Sequence, residues 1–373
     1  MKRILVNLVS EQTTPNFLFI KEMLQENDEL LFISSEKFKN QIDWILKAVN
    51  ETDCIINKII LPDGIEEDWT FMISLINQNL FKDNKYIVNL TCGTKYMSSA
   101  VQKVFENFNA EFYYIPFPKN IILKFGDKIV KEISYRMSIK EFFDCNNTPI
   151  PKHKNITKSE EYTRSFFNLF TNSKVSYDVI EKIRIGYRNK TVKITDIETK
   201  ENEEKKPQIP DLSKFLSKID FTQQEKEYLN KNETEYLTGG WFEEYIFSLI
   251  IEKISPQNIL LGVELPITEN NQISRRDLDI VFTFENKLFV IECKTGIDRE
   301  YMFNETVYKA AALKNERLGK LSANTLIFSL AGENNNFKEI AKAMNIQYFD
   351  RTYFTEEEKE SFIFSYINKK AKG

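Results

Sequence analysis

The sequence is poor in the residues on which several classes of site depend. Its 373 residues include a single histidine, His153, and four cysteines that form no C-x-x-C pair. This excludes a histidine-rich metal site and any catalytic scheme that needs two histidines. Scattered thiols are typical of a reducing compartment rather than of a disulfide framework, so we expect a cytoplasmic protein.

Glycine, proline and long apolar runs are also scarce. With 11 glycines and 10 prolines, long low-complexity linkers are not expected. The first apolar run, residues 4–9, is interrupted by Asn7 and is too short for a signal peptide or a membrane span, so the sequence predicts no membrane partner. The 51 basic and 55 acidic residues give a net charge of -4, which excludes a globally basic nucleic-acid coat but not a local basic groove.

Hydrophobic residues are plentiful by contrast, at 42% of the chain with 30 phenylalanines, and their spacing predicts an α/β protein in three parts. Residues 1–140 alternate strand-like and helix-like patterns, which is typical of a doubly wound parallel sheet. Residues 141–235 are polar and predict a helical connector, with helices over 159–170 and 212–229. Residues 236–373 predict a further unit that contains a helix, a hairpin and more strands.

The strongest chemical signal lies in that hairpin. Two strand-like segments are separated by Glu285 and Asn286, a loop of hairpin length in which Asn tolerates the positive φ of a tight turn. If this turn forms, Asp279 lies opposite Glu292, and alternation places both on one face with Lys294. The other face is apolar. Two carboxylates and one ammonium therefore converge at the open end of the hairpin.

This combination suits metal-assisted chemistry on a phosphate. Carboxylate oxygens are preferred ligands of Mg²⁺ and Mn²⁺, and Lys294 is placed to orient a water or to offset transition-state charge. The alternative is a charged strand end held by a salt bridge without a catalytic role. That alternative is disfavoured because charges are a costly way to finish a buried strand.

A second signal lies in two polar loops that follow predicted strands of the N-terminal part, over residues 10–16 and 89–98. The loop over residues 89–98 reads N-L-T-C-G-T-K-Y-M-S, in which Gly93 permits close backbone approach. Thr94 and Lys95 stand at a helix N-terminus, which favours anions. The loop is neither a Walker P-loop nor G-x-G-x-x-G. It predicts a phosphate or nucleotide cradle, and the alternative is an ordinary capped helix start with an exposed lysine.

The hairpin motif, D-x(12)-E-x-K, resembles the PD-(D/E)xK restriction-endonuclease-like nucleases. The positions that match the catalytic residues of that family are Asp279, Glu292, Lys294 and, in an upstream G-G-W-F-E-E-Y segment, Glu243. The resemblance implies that Asp279 and Glu292 bind the metal. Leu278 stands where the name of the family has proline, and Asp277 is an alternative first acid.

The loop over residues 89–98 is similar to that of CARF sensor domains, N-x-T-G-G-T-K-x-M-S, with Cys92 in place of the first glycine. A CARF domain followed by a PD-(D/E)xK domain resembles the type III CRISPR ancillary nucleases that cyclic oligoadenylate switches on. The activator-binding residues that this implies are Ser10, Gln12, Thr13, Asn16, Thr91, Gly93, Thr94, Lys95, Met97 and Ser98.

The resemblance implies a Rossmann-like CARF sensor over residues 1–140 and a nuclease over 236–373. It further implies a homodimer, Mn²⁺ or Mg²⁺ as cofactor, and DNA as substrate, with RNA left open. Cyclic tetra-adenylate is the favoured activator because a ring of four identical nucleotides can match the two-fold axis of a protein dimer.

The C-terminal unit carries 17 basic and 20 acidic residues, so affinity for a nucleic-acid backbone requires a local basic patch. We expect Arg275, Arg276 and Lys309 to contribute to it. Two other functions remain open: a nucleotide-independent nuclease of the restriction or repair kind, and a CARF-based regulator with an inactive nuclease-like domain.

Overall fold

The computed structural model describes residues 1–50, 54–127, 130–148, 152–187, 192–193, 212–225, 228–269, 272–296, 300–312 and 323–372. Its strands are β1 (Arg3–Val9), β2 (Glu29–Ser35), β3 (Ile55–Leu61), β4 (Lys85–Asn89), β5 (Asn109–Tyr114), β6 (Ile121–Lys124), β7 (Val130–Glu132), β8 (Lys152–Lys154), β9 (Val192–Lys193), β10 (Tyr228–Leu229), β11 (Asn258–Glu269), β12 (Gln272–Phe284), β13 (Lys287–Lys294), β14 (Asn324–Ser329) and β15 (Gln347–Phe349).

Its helices are α1 (Thr14–Met23), α2 (Lys39–Val49), α3 (Trp69–Asn77), α4 (Lys95–Phe105), α5 (Ile139–Cys145), α6 (Glu160–Asn172), α7 (Lys174–Tyr187), α8 (Leu212–Lys218), α9 (Lys231–Glu235), α10 (Trp241–Ile254), α11 (Glu300–Ala312), α12 (Asn335–Ala343), α13 (Thr352–Thr355) and α14 (Glu357–Lys372). A π-helical turn, Tyr236–Gly240, leads directly into α10. None of the described helices combines the length and the apolar character needed to cross a bilayer.

The N-terminal sheet has the strand order β3-β2-β1-β4-β5-β6-β7. Strands β1 to β5 are parallel, and buried side chains of α1 and α2 cover one face while those of α3 and α4 cover the other. This confirms the predicted doubly wound sheet. The last two strands instead run antiparallel, because the short connections between β5, β6 and β7 cannot form a parallel crossover.

Strand β1 is the centre of this sheet and pairs with β2 on one side and β4 on the other. The strand order therefore reverses at β1, and the loops that follow β1 and β4 leave the same edge of the sheet. This is the position at which open α/β sheets bind ligands.

The C-terminal sheet has the order β15-β14-β13-β12-β11-β8. In the β12–β13 hairpin Val281 pairs with Val290 and Thr283 with Leu288, which confirms the predicted register as far as the pair Ile280 and Ile291. Asp279 and Glu292, predicted to lie opposite each other, come directly after this last pair. Glu285 and Asn286 have φ values of 49° and 58°, as a type I′ hairpin turn requires.

The two faces of this hairpin pack against different layers. One face enters the core formed with α6 and α10, through Ile280, Phe282, Phe289, Ile291 and Cys293. On the other face Val281 packs in a cluster that includes α5 and residues of the N-terminal domain. Leu278, which alternation assigns to the first face, lies in this second cluster instead. The alternation is interrupted where β11 bends at Gly262, whose φ is 56°.

Those residues of the polar segment between the two sheets that the structure describes pack largely with the C-terminal sheet. The Phe166 ring of α6 stacks on Trp241 of α10 with a centroid distance of 4.3 Å, and β8 pairs with β11 at the sheet edge. The helix predicted over 212–229 ends at Lys218. Asp220 then adopts a left-handed φ of 48°, which is a common way to end a helix.

Candidate functional site

The open end of the β12–β13 hairpin brings together the two carboxylates and the ammonium that the sequence predicts. The backbone N–H of Cys293 donates to Asp279 Oδ2 at 2.6 Å. The Asp279 carboxylate thus accepts from the neighbouring strand just beyond the last backbone pair, Ile280 with Ile291. This contact fixes the carboxylate at the point where the two strands separate.

Lys294 lies against both acids. Its Nζ is 2.5 Å from Glu292 Oε1 and 3.8 Å from Asp279 Oδ2. Burial disfavours the charge of Lys294, but the two neighbouring carboxylates outweigh it and raise the Lys294 pKa above its usual range. Burial, followed by the proximity of Glu292, raises the pKa of Asp279 well above its usual range. The three groups together carry one more negative than positive charge when all are ionised.

Helix α10 contributes Glu243 to this centre. The Glu243 side chain is 18% exposed, and burial raises its pKa although Lys154 and Lys294 oppose that shift. The adjacent Glu244 is buried and serves the backbone instead: it accepts from Thr157 N–H at 2.6 Å. The geometry thus separates the two glutamates: Glu243 lies beside the charged cluster, whereas Glu244 bonds the backbone of residues 157 and 158.

The donor set fits a hard divalent cation. Asp279 and Glu292 offer carboxylate oxygens from paired strands, and Mg²⁺ is commonly held by one or two carboxylates together with waters and substrate phosphates. Within the described residues no three histidine, cysteine or acidic side chains are grouped closely enough to hold a metal ion by themselves. Asp277, the alternative first acid, is exposed and pairs with Glu264.

Sequence reasoning missed one cation at this centre, Lys154 of the edge strand β8. Lys154 Nζ lies 4.0 Å from Glu243 Oε2, and its side chain is 63% exposed. Its stem passes over Gly262 of β11, where an added Cβ would lie 2.4 Å from Lys154 Cδ. A side chain at position 262 would therefore displace Lys154. The sequence signal available for this contact was Gly262, because a glycine within a strand often marks a place where another part of the chain approaches closely.

The predicted substrate contacts are placed only in part. Arg275 and Arg276 lie in β12, paired with Pro266 and Leu265, and Lys309 lies in α11. The side chains of these three residues fall outside the described part of the structure.

A second site lies where the N-terminal strand order reverses. A cavity of ≈ 360 Å³, here called the switch-point pocket, is lined by Val9, Ser10, Glu11, Gln12, Ser35, Phe38, Thr91, Cys92, Gly93, Thr94 and Met97. Six of the ten predicted activator-binding residues are among them. Ser35 and Phe38 come from the end of β2, a loop that the sequence did not single out.

The loop after β4 has the features expected of an anion cradle. Gly93 has a φ of 85°, and an added Cβ would lie 3.0 Å from Leu8 Cδ2, so a larger residue does not fit without movement. Thr94 is the N-cap of α4 and accepts from Met97 N–H at 3.1 Å. Its hydroxyl proton remains available to a ligand at the positive end of the helix.

Cys92, which replaces the first glycine of the CARF pattern, joins the two loops of the pocket. Its thiol donates to the Gln12 carbonyl at 3.4 Å. Burial raises the pKa of Cys92 to about 12, so the thiol is neutral. In this fully described loop only Gly93 has a positive φ. The backbone at Cys92 therefore has an ordinary conformation, which a side chain can adopt without strain.

Four predicted activator-binding residues do not line the pocket. Thr13 and Asn16 are buried and bond internally: Thr13 Oγ1 donates to the Cys145 carbonyl at 2.7 Å, and Asn16 Nδ2 donates to the Leu8 carbonyl at 2.7 Å. Lys95 and Ser98 lie on the first turn of α4, with Lys95 exposed. Ser98 Oγ donates to the Lys95 carbonyl at 3.0 Å.

Two family models match the chain. Residues 4–142 match the Card1 CARF domain, and residues 230–350 match the Card1-like endonuclease domain. No curated protein matches the sequence.

Solved structures share the fold at low sequence identity. Protein VC1899 from Vibrio cholerae is 15% identical, with 100% of this chain and 99% of that chain covered and a TM-score of 0.77. Can2 from Sulfobacillus thermosulfidooxidans, in complex with cyclic tetra-adenylate (cA4), is 19% identical over 97% of this chain and 98% of its own, with a TM-score of 0.74. A type III CRISPR defence DNA nuclease activated by cyclic oligoadenylate is 12% identical over 97% of this chain and 51% of its own, with a TM-score of 0.53.

Proposed function

The chain joins a Card1 CARF domain to a Card1-like endonuclease domain, and from this premise we propose that it is a divalent-metal-dependent endonuclease controlled by a cyclic oligoadenylate. The observation that carries the proposal is the hairpin end at which Asp279, Glu292 and Lys294 meet. Such a cluster in a strand otherwise built from buried apolar residues has no evident structural purpose.

In this mechanism Asp279 and Glu292 hold Mg²⁺ or Mn²⁺. The bound cation would polarise a phosphoryl oxygen and make a water more acidic. Lys294 acts as a cation and hydrogen-bond donor toward phosphate or water. The neighbouring carboxylates raise the pKa of Lys294, which favours the protonated amine that this role needs. Glu243 of α10 adds a third carboxyl group beside Asp279 and Glu292, where it can accept a hydrogen bond from a water or from Lys294.

Lys154 is the residue we assign to the substrate phosphate. It is exposed, it approaches the centre from the sheet edge, and Gly262 leaves the space through which its stem passes. An ammonium beside the metal-binding acids supplies the local positive charge that an acidic domain needs for a nucleic-acid backbone. Arg275, Arg276 and Lys309 remain predicted contributors to the same surface.

The switch-point pocket is the proposed activator site. Its hydroxyls, glycine backbone and helix N-terminus are neutral donors that suit phosphate and ribose oxygens. The Can2 structure contains cyclic tetra-adenylate, and this supports the same ring as the activator here. In the proposed homodimer each pocket takes half of the ring, so that one ligand contacts both subunits.

The test is a cleavage assay with supercoiled plasmid, single-stranded DNA and RNA in the presence of Mn²⁺, with and without cyclic tetra- and hexa-adenylate. We expect cleavage of DNA, because a DNA nuclease is among the structures that share the fold. We expect this cleavage to depend on cyclic tetra-adenylate. An Asp279→Asn variant is the control for contaminating nucleases. Equal cleavage without any cyclic nucleotide would favour the restriction-type alternative, and activator binding without cleavage would favour the regulator.

A further inference from the structure

The closed end of the β12–β13 hairpin is inserted into the N-terminal domain. Asn120, beside β6, donates through Nδ2 to the Glu285 carbonyl at 2.9 Å. Arg136 forms an ion pair with Glu285 at 2.8 Å. The same hairpin therefore carries the acidic centre at one end and contacts with the CARF domain at the other.

Asn286 is the central residue of this junction and is 1% exposed. Its Oδ1 accepts from Met137 N–H at 2.7 Å. Its Nδ2 donates to Asn120 Oδ1 at 3.0 Å and to the Tyr135 carbonyl at 2.8 Å. Both donor hydrogens and the acceptor are thus used across the domain boundary, in a place where an unpaired amide would be costly. The positive φ of the turn does not by itself account for these side-chain contacts of Asn286.

A second contact leads from the switch-point pocket to the same hairpin. Thr13 follows the loop over residues 10–12, and its hydroxyl bonds the Cys145 carbonyl at the end of α5. Phe142 of α5 packs in the cluster that contains Val281 and Val290 of the hairpin. The loop after β1 is therefore connected to the hairpin face through one short helix.

We propose that Asn286 is a positioning residue that couples the switch-point pocket to the acidic centre by holding the hairpin turn on the CARF domain. This inference rests on the proposed function. A paired hairpin moves as a unit, and Glu292 lies about 20 Å from the turn at roughly 3.3 Å per residue. A shift of the segment around Tyr135–Met137 would thus change the position of Asp279 and Glu292 relative to Glu243 on α10. An activator can use this path only if it binds the active arrangement more tightly than the resting one.

The sharpest variant is Asn286→Gly. Glycine keeps the left-handed backbone of the turn and removes only the side-chain bonds. The matched control is Asn27→Gly, the same substitution at an exposed turn residue with φ 65°. The quantity measured is the ratio of cleavage rates with and without saturating cyclic tetra-adenylate, together with activator affinity and thermal unfolding. Coupling between two sites is typically about 5- to 150-fold, so we expect the ratio to fall at least about fivefold in Asn286→Gly and to stay constant in Asn27→Gly.

Hydrogen exchange adds a readout that does not need cleavage. We expect the activator to change exchange over residues 279–294 in the wild type and not in Asn286→Gly. Asn120→Ala should reproduce the loss, and the double variant should add little, since both residues belong to one contact. A ratio that is unchanged in Asn286→Gly, or lowered equally in Asn27→Gly, overturns the coupling role alone. A wild-type ratio of one overturns the proposed activation and the coupling together.

Discussion

The two candidate sites handle charge in opposite ways. The acidic centre holds its own charges, and Lys294 lies between two carboxylates with its ammonium against both. The switch-point pocket offers hydroxyls, backbone N–H groups and a neutral thiol, and Glu11 is the one charged residue among the described residues that line it. A site that binds a metal must supply anionic ligands from its own side chains, and those that are protonated lose their protons as the metal binds. A site for an anionic ligand can remain nearly neutral and let helix and backbone dipoles attract the charge.

Asp279→Asn or Glu292→Gln tests this comparison at its strongest point. Each change removes a carboxylate ligand from the acidic centre. Residues that only support metal ligands cost about 10–100-fold when mutated, so we expect cleavage to fall by more than about 100-fold. Binding of cyclic tetra-adenylate, measured by calorimetry, should remain. Full cleavage by either variant would contradict the assignment of the metal ligands.

Thr94→Asp tests the neutral character of the switch-point pocket. Aspartate is at least as good an N-cap as threonine, so α4 should keep its stability, but a negative charge now faces the ligand. We expect a loss of activator affinity of about tenfold or more, equivalent to about 1.4 kcal/mol. Thr94→Ser keeps both the cap and the hydroxyl and should bind normally. Unchanged affinity in Thr94→Asp would place the ligand elsewhere.

Glu243→Gln and Glu244→Gln form a pair that separates chemistry from structure within one helix. Glu243 faces the acidic centre, so its replacement should lower the rate by about 10-fold or more while leaving the melting temperature unchanged. Glu244 accepts from Thr157 N–H and Oγ1 at 2.6 and 2.7 Å, so its replacement should lower stability by about 1–3 kcal/mol. The reverse pattern would exchange the roles of the two residues.

Lys154→Ala, with Lys152→Ala as the matched control on the same strand, has the smallest expected effect. Loss of one phosphate contact weakens nucleic-acid binding and lowers the salt slope by about 1. We expect this for Lys154, which lies beside Glu243, and a weaker effect for Lys152, which pairs with Glu264 further along β11. Equal salt slopes in wild type and Lys154→Ala would remove it from the substrate surface.

What the sequence could predict follows from how local each signal is. The hairpin register depends on period-two alternation and on a turn of two residues, and both are visible in a short window. Lys154 was missed because β8 has three residues, too few for a periodic pattern, and pairs with a strand far along the chain. The roles of Thr13 and Asn16 could not be separated from those of Ser10 and Gln12, since burial is decided by packing from α5 and β4.

The same limit applies to Asn286. The sequence explains an asparagine at this turn by its tolerance of positive φ, and the structure confirms that conformation. It does not show that the amide bonds Met137, Tyr135 and Asn120, because those residues precede it by more than a hundred positions and meet it only in the folded protein.

The apolar cluster shared by the two domains has a consequence for how such proteins evolve. Val281, Leu288 and Val290 of the hairpin pack in one core with α5 and with side chains of α1 and α2. Burying each is worth about 1.5–3 kcal/mol. A new sensor joined to this nuclease would have to provide an equivalent apolar surface as well as a linker of the right length. If one domain is exchanged for another, the new domain must also carry the apolar surface that contacts the hairpin. Recombination at the domain boundary without that surface would leave the apolar face of the C-terminal sheet exposed to solvent and prone to aggregation.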